Sequence, residues 1–227
     1  MSLTKISINN FRCFKNVDLQ LSPGINFFFG KNGSGKTSIL ESVFIFSSGK
    51  SFKSSNLASL VNYENDKFTL KAFDNLKGYI VEIEKNKNKP ISVLLNNKKI
   101  TTSKLIKEFP CTPIHNNTFS FADASPDFRR KLLDRSIFIS EKSFSECWFS
   151  YYRSLKQRNS LLKNNRISDI YIWNTKLSDE GIKLNNMRKN FFTKTKNEFH
   201  YLIDLIQPSS IFDFFNLIEI DFFIGWD

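Results

Sequence analysis

Residues that crosslink chains, bind metals or interrupt regular structure are scarce, with 3 Cys, 2 His, 8 Gly and 6 Pro in 227 residues. Cys13, Cys111 and Cys147 are odd in number, lie far apart and form no CxxC pair, so neither a disulfide framework nor a zinc site follows. Cys111 and His115 have ligand-like spacing, but His200 is the only other histidine, too few for a metal centre. The low Gly and Pro content excludes a collagen-like or linker-rich chain. No apolar run approaches the roughly 18 residues that a spanning helix needs, and residues 1–10 lack the apolar core of a secretory signal. The expectation is a cytoplasmic protein without membrane contact.

Aromatic and basic residues are abundant. The 25 Phe, 6 Tyr and 3 Trp exclude a disordered chain and supply core material for one large domain or two lobes. Lys and Arg number 33 against 22 Asp and Glu, a net charge of +11. The 25 Lys, 24 Asn and many Phe and Ile are residues that A/T-rich codons favour, so composition alone is weak evidence of an acidic partner. Position is more informative. Residues 85–107 carry Lys85, Lys87, Lys89, Lys98, Lys99, Lys104 and Lys107 without an acid, and residues 129–166 carry ten basic and three acidic side chains. Each stretch sums to +7 and the remainder to −3. Clustering of this kind suits a nucleic acid, with an ordinary solvated face as the alternative.

Alternation predicts strands over 3–9 and 17–21, and the apolar run 25–29 reads as a third. A helix is predicted from Lys36 to Phe46, on Ile39, Leu40, Val43 and Phe44. Strand-like runs over 68–73, 79–83 and 91–95 predict an antiparallel meander whose loops carry the first basic cluster. From 126 to 206 the apolar spacing of three and four predicts two or three long helices, and 211–224 is again strand-like.

Residues 30–37, Gly30, Lys31, Asn32, Gly33, Ser34, Gly35, Lys36 and Thr37, match G-x-x-x-x-G-K-[ST] between a predicted strand and a predicted helix. Glycines let successive N–H groups converge on phosphate oxygens, and the start of the helix adds its positive end. Lys36 would neutralise the β- and γ-phosphates of ATP, and the Thr37 hydroxyl would face Mg²⁺. Gly49-Lys50-Ser51 imitates the motif but has Phe44 where the first glycine should stand.

The opening, with NFRCFKN at 10–16 and LSPGINFFFGKNGSGKTSILESV at 21–43, resembles that of SMC-type and RecF-type ATPases of the ABC class. GKSFKS at 49–54, SPDFRRKLLD at 125–134 and YRSLKQRNSLLK at 152–163, with Trp173, Leu177, Gly181 and Arg188, narrow the resemblance to the RecF family. No sustained heptad pattern supports an SMC protein. Four positions depart from the family pattern: Asn116 and Asn117 replace its Pro-Glu, Ala124 replaces its glycine, and Leu132 replaces its aromatic after Arg-Arg.

The resemblance implies an α/β fold: a P-loop ABC-type ATPase lobe with an antiparallel meander over 1–115, a helical lobe over 116–208, and incomplete returning strands over 209–227. It implies ATP and Mg²⁺ as cofactors, ATP-dependent homodimerisation, binding of DNA at duplex–gap junctions, and RecR and RecO as partners in loading RecA, with a part in the SOS response. It places the second carboxylate motif and the signature loop beyond this sequence, so the chain reads as the N-terminal part of such a protein, with turnover uncertain. The alternatives are a non-catalytic fragment and another SMC-like ATPase. Leu177-Ser178-Asp179-Glu180-Gly181 resembles an ABC signature but lacks its spacing and glutamine, and Ile218-Glu219-Ile220-Asp221 reads as a half-exposed strand and not as a carboxylate strand. Arg12 is either a nucleotide contact or a structural residue. Arg129, Arg130, Arg153, Lys156 and Arg158 are candidates for phosphate contacts, with pairing of Arg129 or Arg130 to Asp134 as the alternative.

Overall fold

The computed structural model describes residues 3–114, 125–165, 168–206 and 218–223, and the chain divides into two compact units, 1–120 and 121–227. The first unit is a six-stranded antiparallel sheet in the order β2-β1-β3-β4-β5-β6. Its strands are β1 (Leu3–Phe11), β2 (Phe14–Gln20), β3 (Lys67–Asp74), β4 (Tyr79–Asn86), β5 (Ser92–Leu95) and β6 (Lys98–Lys99). Two α-helices, α1 (Lys36–Ser48) and α2 (Thr102–Glu108), and a short 3-10 turn at Leu57–Leu60 are described in the unit.

A period-two pattern sorts the sheet into two faces. Ile6, Ile8, Phe68, Leu70, Ala72, Val81, Ile83, Val93 and Leu95 are buried, in one cluster with Ile45 and Phe46 of α1 and with Leu105 and Phe109. Phe11 and Phe68 meet edge to face at 5.1 Å. The opposite face carries cross-strand ion pairs, Lys71 with Glu82 at 2.9 Å, Lys67 with Glu84 at 2.7 Å and Lys5 with Asp18 at 3.3 Å. These pairs are at least partly open to solvent and contribute at most about 1 kcal/mol each. The buried face therefore supplies most of the sheet's stability, at about 1.5–3 kcal/mol per large side chain.

Helix α2 is absent from the sequence expectation. Thr101 caps it by accepting from Lys104 N at 3.2 Å, and Leu105 is its one buried side chain, too few apolar positions to show a helical period. Gly49 closes α1 in the left-handed region (φ +63), donating to Ile45 O at 2.8 Å. An added Cβ there would lie 2.8 Å from Thr102 Cγ2, so Gly49-Lys50-Ser51 serves as a helix stop.

The second unit contains α3 (Pro126–Ser140), α4 (Phe144–Lys163) and α5 (Ile170–Ile206). Ser125 caps α3 by accepting from Phe128 N at 3.3 Å, with Pro126 and the acidic Asp127 in the first turn. Helices α4 and α5 run antiparallel, since Cys147 lies against Glu180, Tyr151 against Gly181 and Arg158 against Asn174. Ile137, Phe144 and Leu184 form the buried core, flanked by Trp148, Met187 and Phe191. Beside it Asp134 takes both Arg188 Nε and Nη2 at 2.7 Å and Trp148 Nε1 at 3.2 Å. Burial works to lower the Arg188 pKa, but the hydrogen bonds and charge of Asp134 carry it above its ordinary value.

Two strand expectations are corrected. Residues 25–29 carry no strand, and no backbone pairing joins them to another strand among the described residues. Ile25, Phe27 and Phe29 are 78%, 84% and 93% exposed. Asn26 folds back locally, accepting from Ser22 N at 2.8 Å and donating to Ser22 O at 2.9 Å. An unbroken apolar run specifies burial on both faces, as in a central strand, but does not specify the neighbouring strand that would bury it. Residues 218–223 also carry no strand, while 211–217 and 224 lie outside the described residues.

Three large apolar side chains in open water should bind a hydrophobic dye and promote self-association. Replacing Phe27 and Phe29 together with Ser is expected to cut anilinonaphthalene sulfonate fluorescence while moving the thermal midpoint by no more than about 4 °C. Unchanged dye binding with a large loss of stability would show instead that the segment is buried.

Candidate nucleotide-binding loop

Residues 30–37 join the bare run 25–29 to α1. Gly30, Gly33 and Gly35 all have positive φ (+151, +82 and +93), and Ser34 N donates to Lys31 O at 3.2 Å, curling the loop over the helix start. Gly35 is the N-cap of α1, which has no side-chain cap and no acid in its first turn. Its leading N–H groups are therefore available to an anion and reinforced by the helix dipole. Lys36 Nζ bends back along the loop, donating to Gly30 O at 2.7 Å and Lys31 O at 2.8 Å. Lys31, Asn32, Gly33, Ser34 and Thr37 are exposed, and the Thr37 hydroxyl makes no hydrogen bond among the described residues.

Beneath the loop lies the turn between β1 and β2. A Cβ added to Gly35 would overlap Phe14 Cζ and stand 3.2 Å from Cys13 Sγ, so glycine is required at this positive φ. Arg12, whose role the sequence leaves open, is held by Glu41 of α1. Its Nε and Nη2 donate to the two carboxylate oxygens at 2.9 Å each, and Ser51 Oγ donates to the same carboxylate. Glu41 and Ser51 are absent from the sequence-based candidates. A signal for Glu41 exists, since one acid in the otherwise apolar stretch of α1 requires a cationic partner, and Arg12 is the only arginine before Arg129.

The basic stretches are rearranged by the fold. Lys87 and Lys89 lie in the turn after β4, whereas Lys98 and Lys99 form β6, paired alongside Leu95 and Leu94 at the far end of β5. The two groups are associated with opposite ends of β5, which is about 10 Å long, and Lys104 sits on α2. In the helical unit Asp127 pairs with Lys131 at 2.6 Å and Arg130 at 3.7 Å, and Asp134 is taken by Arg188. The Lys131 ammonium, followed by Arg130, holds the Asp127 carboxyl below its ordinary pKa. The suggested pairing of Arg129 or Arg130 with Asp134 is thus replaced by these partners. Along α4 the exposed Phe149, Tyr152, Arg153, Lys156 and Lys163 share the side opposite buried Ser154, and no acid follows Glu146 on that helix.

Asp179 and Gly181 lie inside α5, with Gly181 against the Tyr151 ring. Asp221 accepts from Lys196 at 2.9 Å outside any strand. Asn116, Asn117, Ala124, His115 and Arg166 lie outside the described residues. Among the described residues no group of three His, Cys, Asp or Glu side chains could hold a metal ion, and no helix is long and apolar enough to cross a membrane.

Residues 1–218 match the family model of the AAA ATPase domain, and the chain belongs to that family of ATPase domains. Within that class, the curated and solved proteins it resembles include RecF proteins. It is 30% identical over 235 residues to the DNA replication and repair protein RecF of Aliivibrio fischeri strain MJ11, covering 100% of this chain and 63% of that protein. Two solved structures of the recombination mediator protein RecF in the RecFOR pathway, one with ATPrS and one with ATP, match with TM-scores of 0.79 and 0.78. Identities are 26% and 25%, over 90% and 91% of this chain and 58% of each of those chains. This chain therefore spans somewhat less than two-thirds of the length of these relatives. The likeness agrees with the expected fold class, a mixed α/β ATPase lobe with an antiparallel meander and a helical unit.

Alanine at Gly33 meets no atom within 4 Å and bears only the cost of its positive φ, about 1–2 kcal/mol. At Gly35 the same change adds the clash with Phe14. Chemical denaturation is expected to show Gly35→Ala as clearly more destabilising than Gly33→Ala, and equal effects would mean that the turn does not press on the loop.

Proposed function

We propose that this chain is the nucleotide-binding portion of a RecF-like ATPase that acts in recombinational DNA repair and replication in the cytoplasm. The phosphate loop carries the reading: three glycines at positive φ, an uncapped helix start, and Lys36 and Thr37 in the first turn. Lys31, Asn32, Gly33, Ser34 and Gly35 would surround the phosphates with main-chain N–H groups, and Lys36 would leave its two carbonyl partners to neutralise the β- and γ-phosphates. Mg²⁺ would be held by Thr37, whose hydroxyl has no bond to give up among the described residues, together with phosphate oxygens and water, and would supply charge neutralisation.

The only acid in α1, Glu41, is engaged by Arg12 and Ser51 and does not serve as a base for water. The chain is accordingly expected to hydrolyse nucleotide negligibly. On this RecF-like reading ATP would join two protomers on DNA at a duplex–gap junction, with RecO and RecR assisting the loading of RecA and the SOS response. The relatives' names and the helical unit's charge support this reading. Helix α4 offers three cations and two aromatic rings on one side, with about 15 Å from Arg153 to Lys163. The split meander lysines offer no such continuous surface.

Titration with a fluorescent ATP analogue is expected to saturate for the wild type and to lose at least about tenfold in affinity in Lys36→Ala, a change of about 1.4 kcal/mol. Equal affinities would remove the phosphate-loop assignment, and robust hydrolysis abolished by Lys36→Ala would overturn the account of turnover. For DNA, changing Arg153, Lys156 and Lys163 to Glu should weaken duplex binding at least about tenfold and flatten its salt dependence by up to about three ions. The same reversal at Lys87, Lys98 and Lys99 should do less. Unchanged affinity after reversal at both sets would sink the DNA reading of these residues.

A further inference from the structure

The most heavily constrained part of the first unit lies outside the phosphate-loop motif. Glu41 stands four residues after Thr37, one helical turn along α1, and is 1% exposed. A carboxylate so buried is unfavourable unless charge and hydrogen bonds compensate it. Here it receives the two-pronged Arg12 guanidinium and the Ser51 hydroxyl. Arg12 has φ +54, a left-handed conformation uncommon outside glycine, which persists only where the surroundings impose it. The surroundings do so from several directions: Arg12 N donates to Leu60 O at 2.7 Å, and Arg12 O accepts from Asn62 Nδ2 at 3.0 Å. The next two residues, Cys13 and Phe14, press against Gly35. Contact therefore runs without a break from a buried carboxylate, through a strained turn, to the residue that ends the phosphate loop and opens α1.

We infer that the Arg12–Glu41–Ser51 network positions the phosphate loop. It holds the turn at 12–14 in its left-handed form, Phe14 then fixes Gly35, and Gly35 sets Lys36 and Thr37 where a triphosphate is received. Because the 25–29 side of the loop has no strand partner among the described residues, this support comes from the turn and α1. Arg12, Glu41 and Ser51 are positioning residues that act through Gly35, and the inference rests on the phosphate-loop reading above.

The test compares Glu41→Gln, Arg12→Ala, the milder Arg12→Lys and Ser51→Ala, and the double change of Arg12 and Glu41 to Ala. Three quantities are measured in the 227-residue chain: thermal midpoint, amide hydrogen exchange, and affinity for a fluorescent ATP analogue. The reporter amides are Ser34, bonded to Lys31 O, and Ile39, bonded to Gly35 O at 3.0 Å. Glu41→Gln is expected to speed exchange at both by about tenfold, and Ser51→Ala by about threefold, with amides of β3 and β4 unchanged. ATP affinity should fall in parallel, and the double variant should be no weaker than the worse single one, because the pair acts as a unit.

Exchange that stays at the wild-type rate in the loop, or rises equally in β3 and β4, would overturn the inference, the second outcome marking a merely structural pair. So would an Arg12→Ala that loses ATP while Glu41→Gln binds and exchanges like the wild type, since Arg12 would then act on nucleotide directly. If the wild type binds no ATP, the phosphate-loop reading itself fails, and the exchange rates still decide whether the network positions the loop. If Glu41→Gln does not fold, Arg12→Lys and Ser51→Ala carry the same comparison.

Discussion

The ion pair between Arg12 and Glu41 ties together the pieces that surround the phosphate loop. It joins the β1–β2 turn to the middle of α1, and Ser51 adds the segment that follows the helix. An exposed pair of this kind would contribute little, but Glu41 is almost wholly buried, so removing either partner leaves a charge without compensation. The loop above it has little packing of its own, because glycine-rich backbone buries almost no apolar surface. Its shape depends on what lies beneath it, namely Phe14 and Cys13 under Gly35.

This dependence separates the two ends of the loop. On the helical side, α1 buries Phe44, Ile45 and Phe46 and ends at Gly49, whose neighbour Thr102 leaves no room for a side chain. On the other side stand Ile25, Phe27 and Phe29, apolar and exposed. The sheet of residues 3–99 is antiparallel and one-sided, with ion pairs on its open face, and its period-two pattern is complete without residues 25–29. A run that is apolar at nearly every position has a different physical requirement, cover on both faces and paired main-chain groups along both edges. Among the described residues neither is met, while the relatives are longer than this chain by more than half its length.

Much of the fold was legible in the sequence because the relevant constraints are local. β1 and β3 alternate cleanly, since Ile6, Ile8, Phe68 and Leu70 all enter one core, and Ser125, Pro126 and Asp127 mark the start of α3 chemically. The glycine-rich turn leading into α1 stood out for the same reason, as its eight residues are contiguous and its defining glycines, lysine and threonine sit at fixed spacing. What escaped was set by contacts distant in sequence. Arg12 and Glu41 are 29 residues apart, and Asp134 and Arg188 are 54 apart. Asp134 has cations nearer to it in α3, so sequence proximity offers Arg129 and Arg130 as alternative partners, and the structure gives Arg130 to Asp127 instead.

Charge shows the same division between sequence and space. The lysines of 85–107 form one stretch along the chain, but an antiparallel connection sends successive turns to opposite ends of a strand, so β5 separates Lys87 and Lys89 from Lys98 and Lys99. A helix does the reverse. Residues three, four and seven apart return to one side, so Arg153, Lys156 and Lys163, dispersed in sequence, become neighbours on α4 beside Phe149 and Tyr152. Helix α3 adds less than its composition suggests, because Asp127 already engages two of its cations. The two stretches carry the same formal charge of +7, yet they present different fields. A rod-like polyanion with regularly spaced phosphates gains most where cations are aligned and unneutralised, and on this fold that condition is met along α4 and not along the meander.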